Sequence, residues 1–404
     1  MPSIALDTSA LDPEFKEHAL RGLGRYVSKL RDALDSAASP DITISSFQHT
    51  ELARGSRLAG LLAHSPIGAQ LLQQHFAYPA RMRRCLVPRP DFVHFPAQTD
   101  VPAWCPLPYV VTVHDLIPRT MSDLYLRGKS ARARFAYSAV RSLEALAIRR
   151  AGMILSISHR TADELQSHLG IPRERIRVVP LGIDELFFQT PRDDREPPLR
   201  DRYGLHPTRP LVTYVGGIDR RKNVGGLLRV VERLGARRRE NHRPAPQLVI
   251  AGDVAGHAEY PELTRTIRQL GLSADVCLPG YVPDDELVRL LQASSVFSFL
   301  SLSEGFGLPP LEAMAAGVPV VASNASVMPE VLGDAALLVD PNDLESSVHA
   351  IERILDEPEL SQQMSRAGRA HARKYSWRAT GEATLEAYRL HYEQLRSAGF
   401  AGGR

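Results

Sequence analysis

The segment Ser303-Glu304-Gly305-Phe306-Gly307-Leu308-Pro309-Pro310-Leu311-Glu312-Ala313-Met314-Ala315-Ala316-Gly317-Val318-Pro319-Val320 decides how this chain is read. Gly305 and Gly307 permit a tight turn with accessible N–H groups. Pro309 and Pro310 suit the first turn of a helix, where a backbone N–H has no partner to lose. Leu311, Ala315 and Ala316 continue that helix, Gly317 ends it, and 318–321 reads as a short buried strand. A donor-rich loop feeding a helix N-terminus is a seat for a phosphate. Two acids beside that seat do not suit a phosphate; Glu304 and Glu312 suit the hydroxyls of a sugar. An ionised carboxylate accepts from a diol with both oxygens. The plain alternative for Glu312 is an acid near a helix start that complements the dipole.

Outward from this segment the chain alternates strands and helices. In the first half, 4–7, 41–47, 91–95, 109–113, 153–156 and 177–180 read as strands. Helical patterns follow at 23–34, about 67–84, 131–151 and 158–168. A charged, Pro-rich stretch comes next, and the second half restarts with strands at 211–215, 247–251, 276–278, 296–299, 318–322 and 336–339. Alternation of this kind predicts parallel sheets covered on both faces. The expectation is therefore an α/β chain of two doubly wound, Rossmann-like domains facing across a cleft, with ligands at the C-terminal ends of the strands. The boundaries read as 1–190, a linker at 191–207, 208–375, and a final amphipathic helix with its tail at 376–404, packing back across the junction.

At 404 residues the chain is long enough for two cores. Cys85, Cys105 and Cys277 are scattered, which argues against a disulfide framework or a zinc site and fits a reducing compartment. The N-terminus reads as a strand rather than a signal peptide, and no apolar run approaches the ~20 residues of a membrane span. A cytoplasmic location is expected. Residues 1–190 carry 23 Lys and Arg against 18 acids, whereas the remainder carries 26 against 28, so the first half is the more basic. Only five of the 49 cations are Lys, an Arg bias that fits genome composition, so no nucleic-acid role is read from it.

The second half opens with Val212-Thr213-Tyr214-Val215-Gly216-Gly217-Ile218-Asp219-Arg220-Arg221-Lys222-Asn223. A buried strand delivers a glycine turn, three cations, and Asn223 as a helix cap. Cations at a helix start are what a departing diphosphate requires, because charge grows on it as its bond to the sugar breaks. Arg221 and Lys222 are the candidates; a solvated basic turn is the alternative.

Together these two motifs resemble the retaining nucleotide-sugar glycosyltransferases of family four, the group 1 glycosyltransferases with the GT-B fold. Glu304 and Glu312 have that family's Glu-x7-Glu spacing, and Leu181-Gly182-Ile183-Asp184 extends the resemblance to the end of the first half. The resemblance implies that Glu304 bonds the donor sugar's hydroxyls. It puts the backbone of Gly305, Phe306, Gly307 and Leu308 against the sugar and diphosphate, and Glu312 on both ribose hydroxyls. Many members carry Arg where Gly217 stands here; the Arg-Lys-Asn turn at 221–223 is the form this chain has. Which of Arg220, Arg221 and Lys222 meet the phosphates stays open. The backbone of Tyr281 and Val282, after a strand, is placed near the base edge. Asp253 and Ser158 have a turn former and a helix cap as their default readings.

In the first half, Val113-His114-Asp115 ends a strand. The resemblance puts His114 in the cleft near donor sugar and acceptor, donating to a sugar hydroxyl, with Asp115 orienting the loop; a histidine satisfied by backbone is the alternative. Gly22 and Gly24 follow the first strand, where relatives meet the donor phosphates with a Gly-rich loop, Arg25 adding charge; a helix cap is the alternative. Arg81, Arg83 and Arg84, and Arg127, Lys129, Arg132 and Arg134 beside Phe135 and Tyr137, are candidate peripheral membrane contacts, an exposed charged helix being the bland reading.

The resemblance implies a metal-independent hexosyltransferase with no resident cofactor. No Asp-x-Asp pair occurs, so a bridging divalent metal lacks its usual ligands. The substrates expected are a nucleoside-diphosphate sugar, with GDP-mannose leading, and a glycan or lipid-linked acceptor of surface polysaccharide (lipopolysaccharide) synthesis. A non-catalytic sugar-nucleotide-binding subunit and a sugar-nucleotide epimerase are the alternatives. A dinucleotide dehydrogenase is disfavoured, since no Gly-x-Gly-x-x-Gly follows the first strand.

Overall fold

A computed structural model of the chain describes residues 1–12, 22–37, 40–48, 74–75, 78–189 and 199–400. Two compact units emerge: Met1–Gly182 with Trp377–Arg404, and Ile183–Ser376. The expected helix at 67–84 and linker at 191–207 lie partly outside the described residues, as does the extreme tail.

The first unit runs β1 (Ser3–Asp7), α1 (Leu23–Ser36), β2 (Thr43–Phe47), α2 (Tyr78–Cys85), β3 (Phe92–Phe95), β4 (Tyr109–Val113), α3 (Ala131–Arg150), β5 (Met153–Ser156), α4 (His159–Leu169) and β6 (Ile176–Val178). Its sheet has the order β2-β1-β3-β4-β5-β6, with every pairing parallel. β3, β4 and β5 are buried along their whole length, as apolar strands covered on both faces must be. Ser130 and Ser158 cap α3 and α4 by accepting from Ala133 N and Thr161 N. Gly170, at φ +64°, closes α4 in the left-handed conformation.

The second unit begins at Ile183, whose N–H donates to Tyr375 O at 3.0 Å, and it buries Phe187. It continues through β7 (Leu211–Val215), α5 (Val224–Glu240), β8 (Gln247–Ala251), α6 (Tyr260–Gln269), β9 (Val276–Gly280), α7 (Asp284–Gln292), β10 (Val296–Phe299), α8 (Leu308–Ala315), β11 (Val320–Ser323), β12 (Leu337–Val339), α9 (Leu344–Asp356) and α10 (Pro358–Ala372). The strand order is β12-β11-β10-β7-β8-β9, again parallel throughout. β11 starts two residues later than expected because Val318 N–H donates back to Ala313 O at 2.9 Å, holding Val318 as the exit of α8. The ends of β7, β8 and β9 are tied through glycine backbones. Gly216 N–H donates to Ala251 O and Gly252 N–H to Gly280 O. At Gly252 a Cβ would lie 2.4 Å from Gly216 O, so only glycine fits.

The last helix, α11 (Trp377–Ser397), packs on α1 in the first unit. Gly381 permits the approach, since a Cβ there would sit 2.9 Å from Ala33 O. Tyr388 and His391 of α11 both meet Phe92 edge-on, and Thr380 Oγ1 donates to Pro180 O at 2.8 Å.

Candidate active site

In the second sheet β7 and β10 are neighbours although they lie far apart in the chain, and the strand order reverses between them. Loops leaving two such strands flank the crevice where open α/β sheets hold ligands. The loop after β7 carries the turn Arg220–Lys222, and the loop after β10 carries Glu304. They meet in an ion cluster. Arg221 Nη1 donates to Glu304 Oε2 at 2.8 Å, and Lys222 Nζ donates to Oε1 and Oε2 at 2.8 and 3.0 Å. Arg221 Nη1 also donates to Ser303 O at 3.0 Å, and its Nε pairs with Asp219 at 3.0 Å. Lys222 Nζ lies 5.2 Å from the centre of the Phe299 ring. The cluster is largely buried, the Glu304 and Lys222 side chains being 9% and 12% exposed. Burial pushes the Glu304 carboxyl up, but Lys222 and Arg221 outweigh it and hold the group below the usual carboxylate range.

Glu304 is also pinned through its backbone. Its N–H donates to Ser326 Oγ at 3.2 Å, and Ser326 Oγ–H donates to Glu304 O at 3.0 Å, with Ser326 itself at φ +57°. Phe306 is buried against Tyr375, edge to face at 5.7 Å, so its side chain anchors the loop. Gly307, at φ +101°, leads into α8, whose first residue is Leu308. Glu312 is buried and lies past the first turn of α8, beyond the reach of the helix-start effect that the plain alternative invoked. Gly217 follows β7 with its carbonyl accepting from Tyr214 OH at 2.5 Å. After β9, Tyr281 is exposed and Val282 is buried. Arg220 reaches away from the cluster, toward Glu262 at 3.7 Å.

One expectation is corrected in this loop. Asn223 precedes α5, but it is left-handed (φ +53°) and its side chain makes no capping bond; Nδ2 donates to Pro341 O at 3.0 Å instead. A capping side chain needs an extended backbone to reach back over the first turn.

In the first unit, His114 follows β4. Its N–H donates to Gln98 Oε1 at 3.0 Å and its Nε2–H to Pro96 O at 2.8 Å. A carbonyl only accepts, so the proton of a neutral ring is on Nε2 and Nδ1 is the acceptor. Tyr26 stacks edge-on to the ring at 4.6 Å. Behind it, Thr112 Oγ1 contacts Tyr26 OH at 3.2 Å and His94 Nε2 at 2.9 Å, and His94 Nδ1 contacts Tyr388 OH at 2.6 Å. Asp115 Oδ1 accepts from Ile117 N at 2.9 Å, so it does shape the loop. Gly22, at φ +52°, leads into α1, and Gly24 is buried in its first turn.

Arg221, Lys222 and Glu304 are thus brought together in the second unit, while His114, Gly22 and Gly24 belong to the first. Reading of the sequence missed Asp219, Ser326, Gln98 and Tyr26. Asp219 was legible two residues from Arg221; the other three act through tertiary contacts that carry no local pattern. Among the described residues no group of His, Cys, Asp and Glu is arranged to hold a metal.

The cation–carboxylate cluster at the strand reversal of one of two parallel α/β sheets defines a class. Residues 196–371 match the family model "Glycosyl transferases group 1" and residues 20–185 match "Glycosyltransferase Family 4". The chain belongs to this glycosyltransferase family and has its GT-B fold. It is 33% identical over 242 residues to the O-antigen chain mannosyltransferase B of Escherichia coli, a match covering 59% of this chain and 61% of that one. It is also 33% identical over 239 residues to the MMP alpha-(1->4)-mannosyltransferase of Mycolicibacterium hassiacum, covering 58% and 53%. Both matches therefore span less than two thirds of the relative's length. In structure it is similar to the sucrose-phosphate synthase of Thermosynechococcus elongatus, with a TM-score of 0.73 and 21% identity, covering 98% of this chain and 100% of that one.

Proposed function

We propose that this protein is a retaining, metal-independent glycosyltransferase that moves mannose from GDP-mannose to a glycan or lipid-linked acceptor of surface polysaccharide. The observation that carries the reading is the buried cluster of Arg221, Lys222 and Glu304. As the bond from the sugar to the diphosphate breaks, negative charge grows on the leaving oxygens. Fixed cations stabilise that charge without reorganising at the moment of reaction. Glu304 holds both cations in position before the donor arrives and, ionised, accepts from the sugar's hydroxyls. Glu312 takes the ribose diol, and the loop 305–308 with Gly217 gives backbone approach to the diphosphate. The backbone of Tyr281 and Val282 borders the base. His114, with Nδ1 as acceptor, fixes a sugar hydroxyl. The departing phosphate oxygen takes the acceptor's proton, so no further base is required and the anomeric configuration is kept. Gly22 and Gly24 give their loop a close backbone approach to a phosphate. The choice of mannose follows the two mannosyltransferase relatives.

A panel of nucleotide sugars, assayed for nucleoside diphosphate release with and without lipid extract, tests the reading. GDP release from GDP-mannose, with an axial-to-axial product by NMR, is expected. Turnover unchanged by EDTA is expected as well, because Arg221 and Lys222 supply the positive charge. Tight GDP binding with no release from any donor identifies a binding subunit instead.

A further inference from the structure

We propose that Ser326 is a positioning residue of the donor site, acting through Glu304, and that the segment 323–328 braces the loop 301–307. The proposal rests on the reading of the Arg221, Lys222 and Glu304 cluster as the site of transfer. Two stretches of chain meet here at three points. Ser323 Oγ–H donates to Ser301 O at 2.6 Å. Ser326 Oγ accepts from Glu304 N–H at 3.2 Å and donates to Glu304 O at 3.0 Å. Met328 packs against Gly307, where a Cβ would come within 2.4 Å of Met328 Cε. The contacts fall at 301, 304 and 307 on one stretch and at 323, 326 and 328 on the other, so the loop is held along its length.

The bracing segment is itself well anchored. Ser323 ends β11, Asn324 N–H donates to Val339 O at 2.7 Å, and Val327 and Met328 are fully buried. The loop has less stiffness of its own, because Gly305 and Gly307 flank Phe306. Ser326 sits at φ +57°, a left-handed conformation that is costly for a residue with a Cβ. In that conformation one hydroxyl spans both backbone polar groups of Glu304, spending its single proton on one of them. Strain of this kind persists where the surrounding structure holds it, and it gathers at functional sites.

Glu304 therefore has two holds, the cations on its carboxylate and Ser326 on its backbone. They respond differently to the reaction. As charge grows on the departing diphosphate, Arg221 and Lys222 are drawn toward it, and their grip on Glu304 weakens. Ser326 is neutral, and its grip does not change. It keeps the carboxylate on the sugar's hydroxyls at the point where the cations are pulled away.

The test compares Ser326→Ala with Ser326→Gly in the full chain. Both lose the hydroxyl; they differ in backbone freedom. Glycine adopts a positive φ without strain, so the Gly variant melts above the Ala variant. The turnover number should nevertheless fall by about a hundredfold in both, the cost of a displacement of about 1 Å. KM for the donor should change less, because the loss is greatest in the transition state. A merely structural turn gives another pattern, in which turnover follows melting and the Gly variant recovers it. That pattern, or wild-type kcat in Ser326→Ala, overturns the proposal. Hydrogen exchange reads the brace without turnover. In Ser326→Ala the amides of 303–307 should exchange about tenfold faster, while those of β7 stay as in the wild type. Unchanged exchange at 303–307 overturns the brace whatever the turnover. If the wild type releases nucleoside diphosphate from no donor and the exchange result holds, the transferase reading fails and the brace stands.

Discussion

Lys222→Met isolates the role of one cation while keeping a polarisable stem over Phe299. The change removes both Nζ contacts to Glu304 and leaves Arg221 as its charged partner at 2.8 Å. Breaking one side of a buried ion pair costs about 3–5 kcal/mol. The surviving Arg221 bond puts this case at the lower end, about 3 kcal/mol. In a unit of this size each kcal/mol is worth about 2–4 °C, so melting should fall by about 6–12 °C. Turnover, measured as nucleoside diphosphate release under saturating donor, should fall by about 10²–10³-fold, the usual cost of removing one group that stabilises transition-state charge. Adding Glu304→Gln separates the two effects. The neutral carboxamide leaves no stranded charge, so the double variant regains stability without regaining turnover. The pH profile gives a third readout. Glu304 ionises more readily folded than unfolded, so its pairing stabilises the protein fully above the ordinary value of 4.5, and the contribution is lost as pH falls through the lower folded value. With Lys222 gone, burial is opposed by less charge, the folded value rises, and the acid limb of stability moves to higher pH. Undiminished turnover in Lys222→Met, or a double variant less stable than the single one, refutes the reasoning.

Glu312→Ala should raise KM for the nucleotide sugar by about tenfold or more, with a smaller change in kcat, because two ribose hydrogen bonds are lost from binding. Steady-state kinetics with varied donor checks the split. Gly252→Ala should destabilise by about 2 kcal/mol or more, seen as a lower melting temperature, since its Cβ would meet Gly216 O at 2.4 Å at φ +152°. His391 is buried, and burial lowers its pKa from 6.5 to about 4. The unfolded ring gains a proton before the folded one does, so stability is full above about 6.5 and declines as pH falls toward 4. His391→Leu should flatten that decline in a melting-versus-pH series; an unchanged slope contradicts it.

Both sheets were legible because most of their strands are short apolar runs between turn residues, and all twelve fall where that pattern sets them, five with unchanged bounds and seven with ends moved by one or two residues. The loop-to-helix geometry of 303–312 was legible for the same reason: Gly307 and Pro309 state their backbone requirements locally. What stayed hidden depends on sheet order. Nothing near Glu304 in sequence announces Arg221 and Lys222 as its partners; they meet because β10 pairs with β7. The fate of His114 Nε2–H was hidden likewise, since Pro96 arrives from the neighbouring strand β3. Asn223 shows the opposite failure: a strong local cap signal was overridden when its side chain found Pro341.

The return of α11 to the unit that starts the chain has a consequence for biosynthesis. Until this helix leaves the ribosome, the face of α1 around Ala33 lacks its cover and the buried His94 lacks Tyr388. The unit translated first is therefore the last to close, and a nascent polypeptide stalled within the second sheet exposes apolar surface that holdase chaperones recognise. Premature termination between Ile183 and Ser376 damages a domain whose other 182 residues have already been made.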